Sequence, residues 1–370
     1  MKKKINWMNT LFLTLSPVVA IVGVGSLIWF NEIHWATWIL AFSLAMLSGL
    51  GITAGYHRLL SHKSYEAAWP VRLVLLLLGA ITFQNSALKW CSDHRRHHQF
   101  VDKDPDPYSI TKGFWHAHIG WILYKEDEVP NYENVPDLLA DPLVRFQHRF
   151  YLPLAVVTGL FLPAGIAFLW GDWLGGFFLA GFARVVMNHH LTFSINSFCH
   201  FIGRQPYSEK DSSRDSWILS FLTYGEGYHN FHHSFPTDFR NGIRSWHWDP
   251  SKWMITALSW IGQTKNLRRT PEPRILKSRL EMELLRLKRK SPNIPMERLL
   301  AVRTKCEEAY IRFCVMKQEY QKTKQEKLYV KMAELRTEMK KAKREFLQTR
   351  ELWRNILKDS VSGLAQPQAE

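Results

Sequence analysis

Apolar and polar residues are segregated along this chain into long blocks instead of alternating. The first apolar block, roughly Leu11 to Phe30, contains TLSPVVAIVGVGSLIWF and is about the 20 residues a helix needs to cross a hydrocarbon core. A second follows at once, roughly Trp35 to Gly55. Two more, near Tyr151 to Trp170 and Trp173 to Phe193, are separated only by Gly171-Asp172. The pattern predicts two helical hairpins and four spans. The opening MKKK also suits a signal-peptide start, but no small-residue cleavage site stands out before the next block. Val71 to Phe83 (VRLVLLLLGAITF) is too short to span and is expected to lie in the interface or to re-enter. Parity favours that reading, because a crossing there would put the histidines before and after it on opposite faces of the membrane.

Beyond about Leu267 the pattern changes to Lys, Arg, Glu, Gln and Leu, with a break expected at Ser291 to Pro295 and a long helix from Met296 to about Lys358. Heptad-like recurrence at Leu328, Leu335, Met339, Phe346 and Trp353 suggests a hairpin or short coiled coil. The expected division is a membrane domain over 1–265 and a basic helical extension over 266–370.

Charge orients the hairpins. The net charge is +15, and the short connections Asn31 to His34 and Gly171-Asp172 carry no Lys or Arg. Cationic residues are retained on the cytoplasmic side, so both termini and the segment from Arg58 to Arg149 are expected there, in a bacterial inner membrane or the endoplasmic reticulum. The basic extension suits anionic lipid or an acidic protein partner; no nucleic-acid motif accompanies the charge. The four cysteines form no C-x-x-C pair and no histidine follows His247. A disulfide framework, a zinc ribbon, a fused ferredoxin or rubredoxin and a fused b-type haem domain are therefore not expected.

Of 16 histidines, eight fall in three groups: His57 and His62 in HRLLSH, His94, His97 and His98 in HRRHH, and His229, His232 and His233 in HNFHH. On a helix, positions i, i+3 and i+4 lie within one arc, so each H-x-x-H-H is expected to aim three imidazoles at a single point. The i, i+5 spacing of His57 and His62 leaves one face of an α-helix, which places His62 past the end of the second span. Imidazole suits iron, zinc or copper. Eight or more are too many for one four-coordinate zinc and fit two metals with four or five nitrogens each. Asp93, Asp102, Asp104, Asp106 and Glu226 are candidates to accept the outer ring N–H groups. His34, His116, His118, His148 and His247 read as ordinary hydrogen-bonded histidines, and His189-His190 stay undecided.

The order H-x4-H, H-x2-H-H, H-x2-H-H between two hydrophobic hairpins resembles the integral-membrane fatty acid desaturases. TAGYHRLLSHKSYEA, KWCSDHRRHHQFVDKDPDPYS, SINSFCHFIG and GEGYHNFHHSFPTDFR are similar to the acyl-CoA delta-9 (stearoyl-CoA) branch, over about residues 10 to 265. The resemblance implies an all-α, integral membrane fold of four spans with a cytoplasmic helical cap holding a non-haem di-iron site. It implies that His57, His62, His94, His97, His98, His229, His232 and His233 ligate iron, and adds His200 directly and Asn196 through a water. It further implies insertion of a cis double bond into a saturated acyl-CoA, using O2 and electrons from a separate ferredoxin, rubredoxin or b-type cytochrome with its reductase. Ser92 stands where animal relatives commonly place an arginine near coenzyme A, so an acyl-carrier protein or lipid-linked acyl group stays open as substrate. Trp90 and Thr192 are candidate walls of an acyl tunnel; Arg95, Arg96, Lys89 and Arg184 are candidate partners of phosphates or headgroups.

Two other functions fit part of the pattern. A membrane hydroxylase or alkane monooxygenase shares histidine-box chemistry, and a membrane scaffold would keep a vestigial metal site and use its basic extension to recruit partners. Two E-x-x-H repeats for a ferritin-like site are absent, as is H-E-x-x-H for a metalloprotease.

Overall fold

The computed structural model describes residues 4–30, 32–124, 132–291, 296–326 and 329–362. The regular elements of the described residues are helices apart from a two-residue antiparallel pair, Glu66–Ala67 with Thr264–Lys265, and isolated bridges, joined by turns and irregular segments. They form two compact units, Met1–Arg204 with Lys210–Arg269, and Gln205–Glu209 with Thr270–Glu370.

Among the described residues, three helices of the first unit are long and apolar enough to cross a membrane: Trp7–Trp29, Trp35–Ser61 and Tyr151–Phe168. The first is capped by Asn6, whose Oδ1 accepts from Asn9 N. Its apolar residues are largely exposed, Val18, Ile21 and Val22 among them, as expected of a helix that lipid surrounds. The expected fourth span is a continuous helix over 173–201, built from Trp173–Gly175, a π-helical run Gly176–Ala183, and Arg184–Phe201. It is not among the three because Arg184, Asn188, His189 and His190 dilute its hydropathy. Arg184, Asn188 and His189 are buried in protein, which is where polar groups at membrane depth are tolerated.

The ends opposite the histidines are tied together by Asp172. Its Oδ2 accepts from His34 N at 2.9 Å and from the Thr37 hydroxyl, and its Oδ1 from Gly175 N at 2.9 Å. The apolar stretch after the first histidine box is a 12-residue helix, Trp69–Ala80, too short to cross. It packs on the second span where Gly51 and Gly55 leave no side chain: a Cβ on Gly51 would meet the Leu78 backbone at 2.4 Å. Arg184 locks this arrangement. Its guanidinium donates to Ala180 O, Ile81 O and Gly159 O at 2.7–3.0 Å, and Gly159 lies in the π-helical turn Val157–Phe161, where the regular ladder is interrupted. The expected headgroup role of Arg184 is therefore replaced by a structural one.

The second unit contains Glu272–Lys290, Met296–Gln325 and Tyr329–Ser362. The single long helix expected from Met296 is thus two, and Leu328 and the break at 292–295 lie outside the described residues. Leu280, Leu284, Leu287, Leu299, Val302, Cys306 and Trp353 form its core. Glu283 accepts from both terminal nitrogens of Arg350 at 2.9 Å and from Trp353 Nε1 at 2.7 Å.

Candidate metal centre

The first histidine box sits at the end of the second span, and the helix there is π rather than α over Gly51–Ser61. That corrects the expectation of one face lost: in a π turn the i→i+5 contact is the repeat itself, and His62 N donates to His57 O at 3.1 Å. His62 follows the last helical residue and remains on the side of His57. The second box lies on Ala87–Phe100, capped by Ser86, and the third on the short helix His229–Ser234. His200 comes from the last turn of the 173–201 helix.

All nine histidines converge, in two sets: His57, His62, His94, His98 and His232 in one, His97, His200, His229 and His233 in the other, each with its ligand nitrogens within 4.8 Å of one another. Each H-x-x-H-H box is therefore divided and does not aim at one point. On an α-helix i and i+4 differ by about 40° and i+3 lies on the other side of i, so His94 and His98 join one set while His97 turns to the other. His229 and His233 likewise part from His232.

The donor spacing fits ions. In the first set Nε2 pairs stand at 3.0 Å (His57 and His232), 2.8 Å (His62 and His94) and 3.0 Å (His98 and His232). In the second they stand at 3.4 Å (His97 and His233), 3.1 Å (His200 and His229) and 3.1 Å (His229 and His233). Nitrogens each about 2 Å from one ion stand about 3–4 Å apart. Burial first, then the charge of neighbouring imidazoles, holds His62, His94, His98, His229, His232 and His233 well below the usual imidazole pKa. Neutral rings keep their lone pairs free for a metal.

Outer polar groups fix several rings. His97 Nδ1 is hydrogen-bonded to the buried Asp106 Oδ1 at 2.9 Å, and the Glu226 carboxylate stands at ion-pair distance from His57, Oε2 to Nδ1 3.1 Å. Ser212 donates its hydroxyl to Asp102 Oδ1 at 2.7 Å, leaving its oxygen to accept from His200 Nδ1 at 2.8 Å. Burial would raise the Glu226 carboxyl, but His57 and Arg58 outweigh it and hold it down to about 2. Of the five acids expected to accept outer ring N–H groups, Asp106 and Glu226 stand at ring nitrogens, whereas Asp102 reaches His200 only through Ser212. Asp93 instead pairs with Lys89 at 2.7 Å, and Asp104 is exposed. Sequence reading missed Ser212, Tyr108, whose hydroxyl is 3.3 Å from His94 Nδ1, and Arg58, which pairs with Glu226. Arg58 had a signal, a charge inside the first box next to an apolar span; Ser212 had none.

A cavity of about 610 Å³ opens on both sets. His57 and His94 from one and His97 and His229 from the other line it, together with Trp90, Thr192, Asn196 and the rings of Phe12 and Phe83. Thr192 Oγ1 is fixed by Gln84 Nε2 at 3.0 Å. Arg95 and Arg96 are not in the lining. All five Arg95 donors are occupied, by Ser61 O, Asn134 O, Leu60 O and both Asp137 oxygens, and Arg96 approaches Asp93 at 3.9 Å. Ser92 and Asn134 hold each other, Ser92 Oγ to Asn134 Oδ1 and Asn134 Nδ2 to Ser92 O, both at 2.8 Å. The remaining histidines have protein partners: His34 accepts from Ala36 N, His116 meets Pro107 O, His118 meets Ser197 and His190, His148 meets Ser86, His189 meets Thr82 O, and His247 stacks on Tyr228.

Apolar helices long enough to cross a membrane, with nine histidines converging beside a largely apolar cavity, define a multi-pass membrane protein with a paired-metal type of site. The fatty acid desaturase profile matches residues 33–256, and the chain belongs to that family. It is 42% identical over 277 residues to "Probable acyl-CoA desaturase" of Schizosaccharomyces pombe, covering 74% of this chain and 57% of the relative. It is 36% identical over 267 residues to "Delta(9)-fatty-acid desaturase fat-7" of Caenorhabditis elegans (70% and 78%). It is 34% identical over 284 residues to "Acyl-CoA Delta(11) desaturase" of Trichoplusia ni (75% and 81%). The chain thus spans little more than half of the fission-yeast relative.

Proposed function

We propose that this protein is an acyl-CoA desaturase that introduces a cis double bond, delta-9 in a saturated chain of about 16 to 18 carbons, with two non-haem irons on the nine histidines. The observation that carries the reading is one cavity bordered by both imidazole sets and continued by apolar side chains such as Phe12, Leu13, Phe83, Trp90, Val156 and Leu160, with polar groups including Thr192, Asn196 and Gln84 among them. Its volume falls within the range of about 300–1,000 Å³ usual for small-ligand sites. Iron held there would supply oxygen-activating redox chemistry: two hydrogens from adjacent methylenes, two external electrons and two protons reduce one O2 to two waters. Imidazole sets free of carboxylate ligands fit that redox role. The relatives' names support an acyl-CoA substrate; one specifies delta-9 and another delta-11, so bond position rests on the resemblance of the motifs.

The chain's own residues have the task of position. Adjacent methylenes hardly differ in reactivity, so geometry selects the bond. Trp90, stacked on His94 at 4.9 Å between ring centres, and Thr192, held by Gln84, border the acyl chain beside the metals. Asn196 reaches the second set through water. Buried carboxylates on His57 and His97 keep Nδ1 protonated and Nε2 directed at iron. The 173–201 helix is the fourth span, its polar side turned to protein, and the histidines lie at the cytoplasmic face, where a separate donor delivers electrons. Ser92 engages Asn134 and not a ligand, which leaves the carrier moiety to other groups.

The fatty-acid profile of a host lacking its own desaturase, expressing wild type beside His97→Ala and His232→Ala, tests this. A new cis-monoene absent from both variants is expected. Hydroxylated chains would move the protein to the monooxygenase class, and no product from an iron-loaded protein supplied with an electron donor would favour the scaffold reading.

A further inference from the structure

Residues 216–227 make an excursion away from the metal centre. Its base is closed where Ser216 N donates to Gly227 O at 2.8 Å and Asp215 bridges Tyr228, next to His229. From there the helix Trp217–Leu222 leads to a turn in which Gly225 adopts a φ of +100° and donates to Ser220 O. The tip is Tyr224. Its hydroxyl donates to Asn188 Oδ1 in the 173–201 helix, and its ring covers Gly49 of the second span so closely that a Cβ there would meet it at 2.5 Å. Gly49 stands 14 residues from Trp35, about 21 Å along an α-helix and so within the roughly 30 Å of hydrocarbon.

The helix on this excursion is amphipathic with its apolar side outward. Leu219 and Ser220 are buried, whereas Trp217, Ile218, Phe221 and Leu222 are 73%, 55%, 59% and 47% exposed. Positions i, i+1, i+4 and i+5 share one arc. Leu47, two residues from Gly49, and Met187, next to Asn188, are exposed too, so the apolar surface of the spans is present at the level where the tip inserts. A Trp-bearing apolar helix at that level suits the boundary between headgroups and acyl chains.

We propose that Trp217–Leu222 is an in-plane membrane anchor, seated in the cytoplasmic-side boundary of the bilayer, which holds the third histidine box at a fixed height above the lipid. Phe221 also packs on Trp248, with ring centres 4.8 Å apart, so the anchor is braced by the loop behind the box. The proposal rests on the assignment of the membrane spans and is independent of the reaction.

The test uses full-length protein carrying Cys314→Ser; Cys91, Cys199 and Cys306 are buried. Ile218→Cys and Leu222→Cys are labelled with an environment-sensitive fluorophore and reconstituted in phosphatidylcholine vesicles. Phe42→Cys on a span and Asn355→Cys on the extension serve as references, both positions being exposed. Blue-shifted emission at 218 and 222, quenched by 5-doxyl-phosphatidylcholine as at 42 and insensitive to iodide, is expected. Iodide quenching without an effect of doxyl lipid, as at 355, would overturn the anchor and make the face a surface for a soluble partner. Loss of lipid quenching at 42 as well would overturn the span assignment itself.

Discussion

Arg58 Nη2 and Glu226 Oε1 stand 2.9 Å apart with both side chains almost wholly withdrawn from solvent. The other Glu226 oxygen is shared between Asn241 Nδ2 at 2.6 Å and His57 Nδ1 at 3.1 Å, so the pair transmits its charge to one ring of the five-nitrogen set. Glu226→Gln keeps the volume and removes the charge. Iron affinity is expected to fall about 10- to 100-fold, the usual effect of losing a group that orients a metal-bound histidine, with the fold retained. Glu226→Leu also takes from the buried Arg58 one of its two carboxylates, Asp249 remaining at 2.9 Å, and leaves a buried Arg58 N–H without a partner at a cost of about 1–3 kcal/mol. Iron retained against a graded chelator, with thermal unfolding beside it, separates the two effects; wild-type retention in the Gln variant would sink the steering role.

The buried histidines give stability a definite sign with pH. Their folded pKa values are depressed, while unfolded imidazoles titrate near 6.5. Below that value the unfolded chain binds protons that the folded one refuses, so stability is fullest above about pH 6.5 and declines as pH falls beneath it. The iron-free protein should lose unfolding temperature steadily from pH 7 to pH 5. Iron-loaded protein should release metal over the same interval, because proton and metal compete for one lone pair. A flat unfolding temperature across it would contradict the neutral, buried state of these rings.

The same residues mark what was legible in the sequence. The boxes could be read because their spacing is local, and the spans because lipid imposes a long apolar run. The partition of His97 from His94 and His98, and of His232 from His229 and His233, was not read, although helix geometry carries it, because each box was treated as a unit aimed at one ion. His200 lies 29 residues from His229 in the chain and 3.1 Å away in space; no spacing rule joins them, and only the family resemblance reached it. The π turn at His57 runs through Gly51 and Gly55, where the helix Trp69–Ala80 closes in, a tertiary contact that local spacing does not display. Arg184 was read as a partner of phosphates or headgroups because two of its three carbonyl partners, Ile81 O and Gly159 O, come from other segments of the chain.

Arg184 therefore makes a sharp case for stability. Arg184→Met leaves Ile81 O and Gly159 O buried without their donor, at about 1–3 kcal/mol each. Arg184→Lys retains the charge but not the fork that reaches two segments at once, and should recover part of the loss. Unfolding in mild detergent is expected to rank wild type above Lys above Met. Since Phe83 and Leu160 line the cavity two residues or fewer from those carbonyls, product yield should follow the same order. Equal stability of all three would show that the carbonyls find other donors.

Trp353 offers the corresponding test of the C-terminal unit. Its ring is fully buried among Leu280, Leu284, Leu299 and Val302, and its Nε1 donates to Glu283, whose carboxyl Arg350 also grips from two nitrogens. Burial disfavours that charge, yet the bonds from Arg350 and Trp353 lower the Glu283 pKa, so the ring closes a network as well as filling a core. Trp353→Ala is expected to cost about 3–5 kcal/mol, more than a unit of three helices readily absorbs. Helical signal should be lost from the extension at lower temperature, with protease cleavage appearing between residues 270 and 362. If the extension folds independently of the membrane unit, iron content and the acyl product remain at wild-type levels. Loss of iron together with the helices would instead show that the two units fold as one.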